Sequence, residues 1–209
     1  MGKDKILINL KKFFFISYFM REFIYYSKKA VTAGNMIKDN LMQAGRMDIV
    51  CNVIISAFFI SNAMRDDVKL HLIFDGPPNA PRHLVFESNK DMPISKKDVA
   101  GLIKRLLYKS PDKEGLKEIA PGCSIEKKSF ESLVKELDHE GKNVLLLSGK
   151  GKDIRGLNLD KAVFIIGDHE GFPKDKKKFL KKIDGVSVGP KVLFASQVFT
   201  IIHNEIDRQ

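Results

Sequence analysis

Apolar and polar positions along the chain switch between a two-residue and a three-to-four-residue period, and the switches mark out strands and helices. Arg21–Ser27 (REFIYYS) is a short aromatic and β-branched run that predicts the first strand. A polar connector leads to Gly45, with a short helix expected around Met36–Met42. From Arg46 to Met64, residues Met47, Val50, Val53, Ile54, Ala57, Phe58, Ser61 and Met64 recur at the spacing of one buried helical face. Val68–Asp75 (VKLHLIFD) reads as a strand that must stop at Gly76-Pro77-Pro78-Asn79, because a ladder cannot accommodate such a run of turn formers. His83–Glu87 predicts another short strand. Ser95 followed by Asp98 reads as a capping-box start for a helix over Lys96–Tyr108, and Ser110–Gly122 as a turn-rich link.

The second half alternates more regularly. A weak strand at Ser124–Glu126 precedes a helix over Phe130–His139 that Gly141 ends, and Asn143–Leu147 (NVLLL) is a buried strand bounded by Ser148-Gly149-Lys150-Gly151. Ala162–Ile166 is a continuous apolar run suited to a strand covered on both faces. A basic helix (Lys174–Lys182), a short strand (Val186–Val188), a turn at Gly189-Pro190 and an apolar helix (Val192–Glu205) complete the chain. Strands alternating with helices imply an α/β fold: a mostly parallel sheet with helices on both faces, here as one domain over 20–209.

Residues 1–19 (MGKDKILINLKKFFFISYF) superficially resemble a signal peptide. The apolar core is short and lacks a small-x-small cleavage site, so they are expected to be a disordered or mis-started extension, with Met20 the authentic start. No segment reaches the 18 or so apolar residues that cross a bilayer, and a soluble, cytoplasmic protein is expected. Two cysteines without a CxxC pair suit a reducing compartment and no zinc site. Lys+Arg 36 against Asp+Glu 26 gives a net charge of +10, a field that attracts polyanions such as RNA.

Candidate chemistry gathers where strands end in glycine. Leu147-Ser148-Gly149, Ile166-Gly167-Asp168 and Val188-Gly189-Pro190 would let backbone approach a ligand beyond the carboxyl ends of a parallel sheet. There is no GxGxxG, and GKGK at Gly149–Lys152 lacks the spacing and the Ser/Thr of a P-loop. Asp168-His169-Glu170 are adjacent in a turn and do not converge on a metal, and no Ser-His-Asp or Cys-His set stands out, so neither a metal nor a covalent nucleophile is expected.

The ordered set FIIGDHEGFP (Phe164–Pro173), VSVGP (Val186–Pro190) and LFASQVFTIIHNEI (Leu193–Ile206) resembles the C-terminal signature of the SPOUT methyltransferases. Together with MREFIYYS, GRMDIVCNVI (Gly45–Ile54) and DGPPNAPRHLVFES (Asp75–Ser88), it resembles the archaeal TrmY family of tRNA pseudouridine-54 N1-methyltransferases from Met20 almost to Gln209. The resemblance implies a trefoil-knotted homodimer that binds S-adenosyl-L-methionine and methylates N1 of pseudouridine in the tRNA T-loop. It places cofactor contacts on Leu147, Gly167, Ser187, Val188, Gly189, Pro190, Lys191, Val192 and Leu193, and on Val198, where the family carries a cysteine.

Methyl transfer from a sulfonium needs neither metal nor protein nucleophile, but a site can help by stabilising charge on the uracil oxygens or by accepting the N1 proton. Arg46 and Arg82 are candidates for charge stabilisation, and Asp48 and Asp75 for orienting an arginine or receiving the proton. As structural features alone, Arg46 and Asp48 would start a helix and Asp75 would cap a turn. Lys174, Lys176, Lys177 and Lys178, with Lys104 and Arg105, are expected to hold the RNA backbone. An rRNA pseudouridine N1-methyltransferase, or a non-catalytic RNA-binding module of the same fold, stays open at this point.

Overall fold

The computed structural model describes residues 20–111 and 115–209. Eight strands form one sheet: β1 (Arg21–Ser27), β2 (Val68–Phe74), β3 (Arg82–Glu87), β4 (Lys117–Ala120), β5 (Cys123–Glu126), β6 (Asn143–Asp153), β7 (Ala162–Gly167) and β8 (Asp184–Ser187). Their spatial order is β4-β5-β3-β2-β1-β7-β6-β8. β2, β1, β7, β6 and β8 run parallel, while β3, β5 and β4 form an antiparallel wing beside β2.

Helices α1 (Met47–Phe58), α2 (Val99–Tyr108) and α5 (Ala195–Ile206) cover one face, and α3 (Phe130–His139) covers the other with α4 (Lys174–Leu180). Burying each large side chain of the α1 stripe, such as Met47, Ile54 or Phe58, is worth about 1.5–3 kcal/mol, which fixes the helix on the sheet. α1 and α5 both follow a strand of the parallel half, so both begin at its carboxyl edge, and they pack against each other.

Several boundaries differ from expectation for identifiable reasons. α1 stops at Phe58 rather than continuing to Met64, because Ser61 and Asn62 form a turn closed by Ile60 N–H to Ala63 O (3.0 Å) and a bridge between Phe59 and Met64. The helix expected over 36–42 is replaced by two single 3-10 turns, Gly34–Met36 and Leu41–Gln43, the second capped by Asn40. Ser95 does not open a capping box: its Oγ accepts from Lys97 N at 3.3 Å and the helix starts only at Val99. The turn-rich link contains the edge strand β4, whose four residues are too few and too exposed to show a period.

β6 runs on past Leu147 to Asp153. Leu147 and Lys152 both oppose Val186, so residues 148–151 bulge outward between them. Gly151 allows that crossing, since a Cβ there would lie 2.4 Å from backbone of Gly185 and Val186.

Candidate active site

Three loops meet at the carboxyl end of β1, and the segment from Ser27 to Thr32 is the surface on which they are laid. Ser27 Oγ donates to Asp168 Oδ2 (3.0 Å) and accepts from Ala30 N (3.2 Å). The same carboxylate accepts from Lys28 N (3.1 Å) and Glu170 N (2.9 Å), and Lys29 pairs with Glu170. Asp168, to whose side chain the sequence assigns no role once a metal is set aside, therefore ties the loop after β7 to the end of β1. Its carboxylate is buried and satisfied by three donors.

Two glycines seat the other loops on this segment. A Cβ on Gly45 would fall 1.7 Å from Lys29 O, and one on Gly76 would fall 2.4 Å from Ala30 O. Thr32 completes the contact, with N–H to Pro77 O (2.9 Å), Oγ1 donating to Gly76 O (3.0 Å) and Asn79 N donating to Oγ1 (2.8 Å). Arg46 follows Gly45 and Asp75 precedes Gly76, so the placement of both depends on the Lys29–Ala30 peptide.

Arg46 adopts φ 64°, a left-handed conformation that costs a non-glycine residue roughly 1–2 kcal/mol. From it the guanidinium grips Asp48 with two parallel bonds, Nε to Oδ1 (3.0 Å) and an Nη to Oδ2 (2.9 Å). This bond to Arg46 holds the Asp48 carboxyl below the usual carboxylate range, so Asp48 orients the arginine and is a poor proton acceptor. Tyr25 beneath is buried. Burial first, then the charges of Asp168 and Asp48, raise its phenol pKa, so Tyr25 lies within electrostatic range of both the Asp168 clamp and the Arg46–Asp48 pair. Arg82 pairs across strands with Phe74 and so faces the same side of the sheet as α1. It is 5% exposed; its only side-chain hydrogen bond among the described residues is to Pro81 O (3.4 Å), and its Nε has none.

Asp75 faces the opposite side. Its Oδ2 accepts from Tyr26 OH (2.8 Å) and lies 3.3 Å from Lys176 Nζ. Lys176 also reaches Glu131 at 3.0 Å and sits over the rings of Tyr26 and Phe130. Burial disfavours that ammonium, but Glu131 and Asp75 outweigh it and raise its pKa. Asp75 thus does not orient either arginine, and Lys176, 8% exposed, does not present itself to a phosphate.

Where β6 bulges and β8 ends, a cavity of about 230 Å³ is lined by Leu147, Ser148, Gly149, all of 187–193, and Val198. Gly149 stands on the outward bulge of β6, and Val198 comes from the first turns of α5. The backbone of 190–193 has no hydrogen-bonded partner among the described residues, which leaves its polar groups for a ligand or water. Ser187 Oγ is turned inward to Gly189. Gly167 does not line this cavity: a Cβ there would meet the Phe172 ring at 2.9 Å, so this glycine makes room for the folded-back loop. A wider depression of about 390 Å³ lies at the other ends of the same strands, beside Asn143 and Asp184, where none of the strand-end glycines reaches.

The basic residues fall into two groups. Lys174, Lys177 and Lys178 are exposed on α4, while Lys104 and Arg105 lie on α2 across the sheet. Among the described residues no three His, Cys, Asp or Glu side chains are arranged to hold a metal, and no helix is long and apolar enough to cross a membrane.

Residues 20–209 match a protein family described as "Putative SAM-dependent RNA methyltransferase". The tRNA (pseudouridine(54)-N(1))-methyltransferase of Methanocaldococcus jannaschii is 34% identical over 91% of this chain and 98% of its own. The protein of the same name from Methanococcus aeolicus is 36% identical over 90% and 98%. Archaeoglobus fulgidus Nep1, solved with S-adenosylhomocysteine bound, superposes with a TM-score of 0.61 at 15% identity, covering 90% of this chain and 98% of that one, and so shares the fold.

Proposed function

We propose that this chain, which belongs to the family of SAM-dependent RNA methyltransferases that includes the archaeal tRNA pseudouridine-54 N1-methyltransferases, methylates N1 of pseudouridine 54 in the T-loop of tRNA. The observation that carries this reading is the cavity at the start of α5, on the same carboxyl edge and the same side of the sheet as the Arg46–Asp48 pair at the start of α1. The residues present suit S-adenosyl-L-methionine. Leu147, Val188, Leu193 and Val198 give apolar walls, and the unpaired backbone of 190–193 gives donors and acceptors for a purine edge. With Val198 in place of the family cysteine the wall keeps an apolar contact and loses a thiol.

When bound, the cofactor supplies an electrophilic methyl group on a positive sulfur. The chain's part is to hold the uracil ring and manage charge. Arg46, fixed by Asp48, offers its remaining N–H groups to a uracil carbonyl, where negative charge grows as N1 loses its proton. Arg82, a buried guanidinium with no carboxylate partner among the described residues, adds a second positive charge on the side of the sheet where the base is held. Asp48 is committed to Arg46 and Asp75 faces away, so the N1 proton leaves to water at the open mouth of the site. Asp75 instead anchors the 75–82 loop that carries Arg82.

Lys174, Lys177 and Lys178 contact the tRNA backbone, and Lys104 with Arg105 serves a separate stretch of RNA on the other face. Val192 and Phe194, 103% and 78% exposed beside the cavity, support a homodimer in which a second copy covers them. We extend the reading to the trefoil knot and to action in the cytoplasm, where tRNA is modified.

The test is nucleoside mass spectrometry of two transcript tRNAs, one carrying pseudouridine and one uridine at position 54, after incubation with labelled cofactor. Only the first has a ring N1 bearing hydrogen, and only it is expected to be methylated. Equal labelling of the uridine transcript overturns the N1 reading. Labelling of an rRNA fragment but of neither tRNA overturns the choice of substrate.

A further inference from the structure

Away from the cavity, four buried titratable side chains form a single row across four neighbouring strands. Glu22 of β1, His71 of β2, His83 of β3 and Glu126 of β5 all point to the α3 side of the sheet. Glu22 Oε1 meets His71 Nε2 at 2.9 Å, His71 Nδ1 meets His83 Nε2 at 2.8 Å, and His83 Nδ1 meets Glu126 Oε1 at 2.9 Å. None of the four is more than 6% exposed. Lys142 caps one end through Glu22 Oε2 (2.6 Å), and Lys128 caps the other through Glu126 (2.9 Å) while also bonding Glu136 of α3 (2.7 Å). Lys69 is the remaining charged neighbour of His71. The imidazole nitrogens touch directly, so no metal ion fits between them.

Each of the three contacts needs one hydrogen between two lone pairs. Two neutral imidazoles carry two hydrogens, and ionised carboxylates carry none. Burial, the largest influence on both rings, favours the neutral forms, and the carboxylates at either end oppose it. Two neutral rings would leave one gap with lone pairs facing each other at under 3 Å, with no room for water between the partners, and that repulsion is worse than one delocalised charge flanked by two carboxylates. We infer that the row Glu22–His71–His83–Glu126 is a buried proton-binding site that holds a third hydrogen, carried on the imidazoles, and that folding of this protein takes that proton up from solution.

The sign follows from the count. Above pH 6.5 the unfolded imidazoles are neutral, so the native row holds one proton more than the unfolded chain and stability falls as pH rises. The folding equilibrium constant should drop roughly tenfold per pH unit between about pH 7.5 and 8.5. Below pH 6.5 the two unfolded imidazoles bind up to two protons against one in the row, so its contribution also falls toward acid.

Glu22→Gln tests this without breaking a contact. Its amide N–H donates to His71 Nε2 and its carbonyl accepts from Lys142, so the row is complete with two neutral imidazoles and keeps its net charge. Urea unfolding of the full chain and the variant from pH 7.0 to 8.5 should show the ratio of folding constants, wild type over variant, falling about tenfold per unit above pH 7.5. Contributions from Cys51 and Cys123, whose thiols burial pushes up to about 11 and about 12, cancel in that ratio. A ratio independent of pH overturns the inference. If the variant does not fold, spectra of ¹⁵N-histidine-labelled wild type at pH 8 decide. Three protonated ring nitrogens shared by His71 and His83 support the third proton, and two refute it.

Discussion

Alanine at Gly45 should separate the two demands that this glycine meets. The first is conformational, since φ +68° costs an L residue about 1–2 kcal/mol. The second is steric. Its Cβ would lie 1.7 Å from Lys29 O, and reaching the 3.0 Å that real Cβ atoms respect moves two backbone segments apart by about 1.3 Å. Overpacking of this kind costs a further ~1–3 kcal/mol. Gly141 is the internal control, because it has φ +76° with nothing within 4 Å of its Cβ, so Gly141→Ala carries only the conformational part.

Urea unfolding should therefore place Gly45→Ala about 2–5 kcal/mol below wild type and Gly141→Ala about 1–2. The same displacement moves Arg46, whose peptide adjoins Gly45. Misplacement of an aligning group by about 1 Å can cost up to 100-fold in rate, so single-turnover methylation at saturating tRNA and cofactor should fall by one to two orders of magnitude in Gly45→Ala and stay near wild type in Gly141→Ala. Equal stability losses in the two variants, with equal rates, would refute the role assigned to the Lys29 carbonyl as the seat of the Arg46 loop.

Three other perturbations probe separate parts of the molecule. Arg46→Ala should lower single-turnover methylation by roughly 100-fold or more while calorimetric affinity for S-adenosyl-L-methionine is retained; loss of affinity instead would move Arg46 into the cofactor site. Lys177→Gln with Lys178→Gln should flatten the salt dependence of tRNA binding by about 1.5 in log–log slope, whereas Lys176→Gln should leave the slope intact and cost about 1–3 kcal/mol in urea unfolding, because Asp75 and Glu131 lose their shared cation. Asp207, bonded by Arg65 and paired with Arg21, is held down to about 2, so the stability it adds is complete above about pH 4 and lost between pH 4 and 2; Asp207→Asn should remove that part of the acid limb.

Most of the parallel half was legible because its strands are apolar throughout and bounded by glycine, as in Ala162–Gly167 ahead of GDHEGFP. The cavity lining was legible for a related reason: Leu147, 187–193 and Val198 come from the neighbouring parallel strands β6 and β8 and the helix that follows β8, which the topology brings together. Where expectation failed, local pattern lost to long-range contact. Lys176 sits in PKDKKKFLKK, which reads as a uniformly solvated face, yet one of its lysines is drawn under the sheet edge by Glu131 and Asp75. Nothing within seven residues of Lys176 announces that, since Glu131 is 45 positions away. Gly167 is a case of the other kind, because the residue that fills the space beside it, Phe172, lies only five positions on and its ring could be placed only once the loop was seen to fold back.

The buried row shows why register, rather than composition, carries this kind of information. In β2 the polar residue His71 alternates with Leu70 and Leu72, and taken alone it is one imidazole on an otherwise apolar strand. Its meaning comes from three pairings. Ile24 opposite His71 puts Glu22 on the same face two residues earlier, Ile73 opposite His83 sets the two imidazoles on one diagonal, and His83 opposite Glu126 closes the row. A one-residue slip in any of these ladders would turn a member of the row to the α1 side, among Leu70, Leu72 and Leu84, and leave a buried charge without its partner at a cost of several kcal/mol. Mispairing where parallel and antiparallel strands meet would therefore break the row. Glu22→Gln, which keeps the contacts and removes only the need for the extra proton, should leave that alignment unchanged, as judged by cross-strand amide contacts between β2 and β3 in the folded variant. Altered pairing in Glu22→Gln would mean that the ionic character of the row, rather than its hydrogen bonds, sets the register.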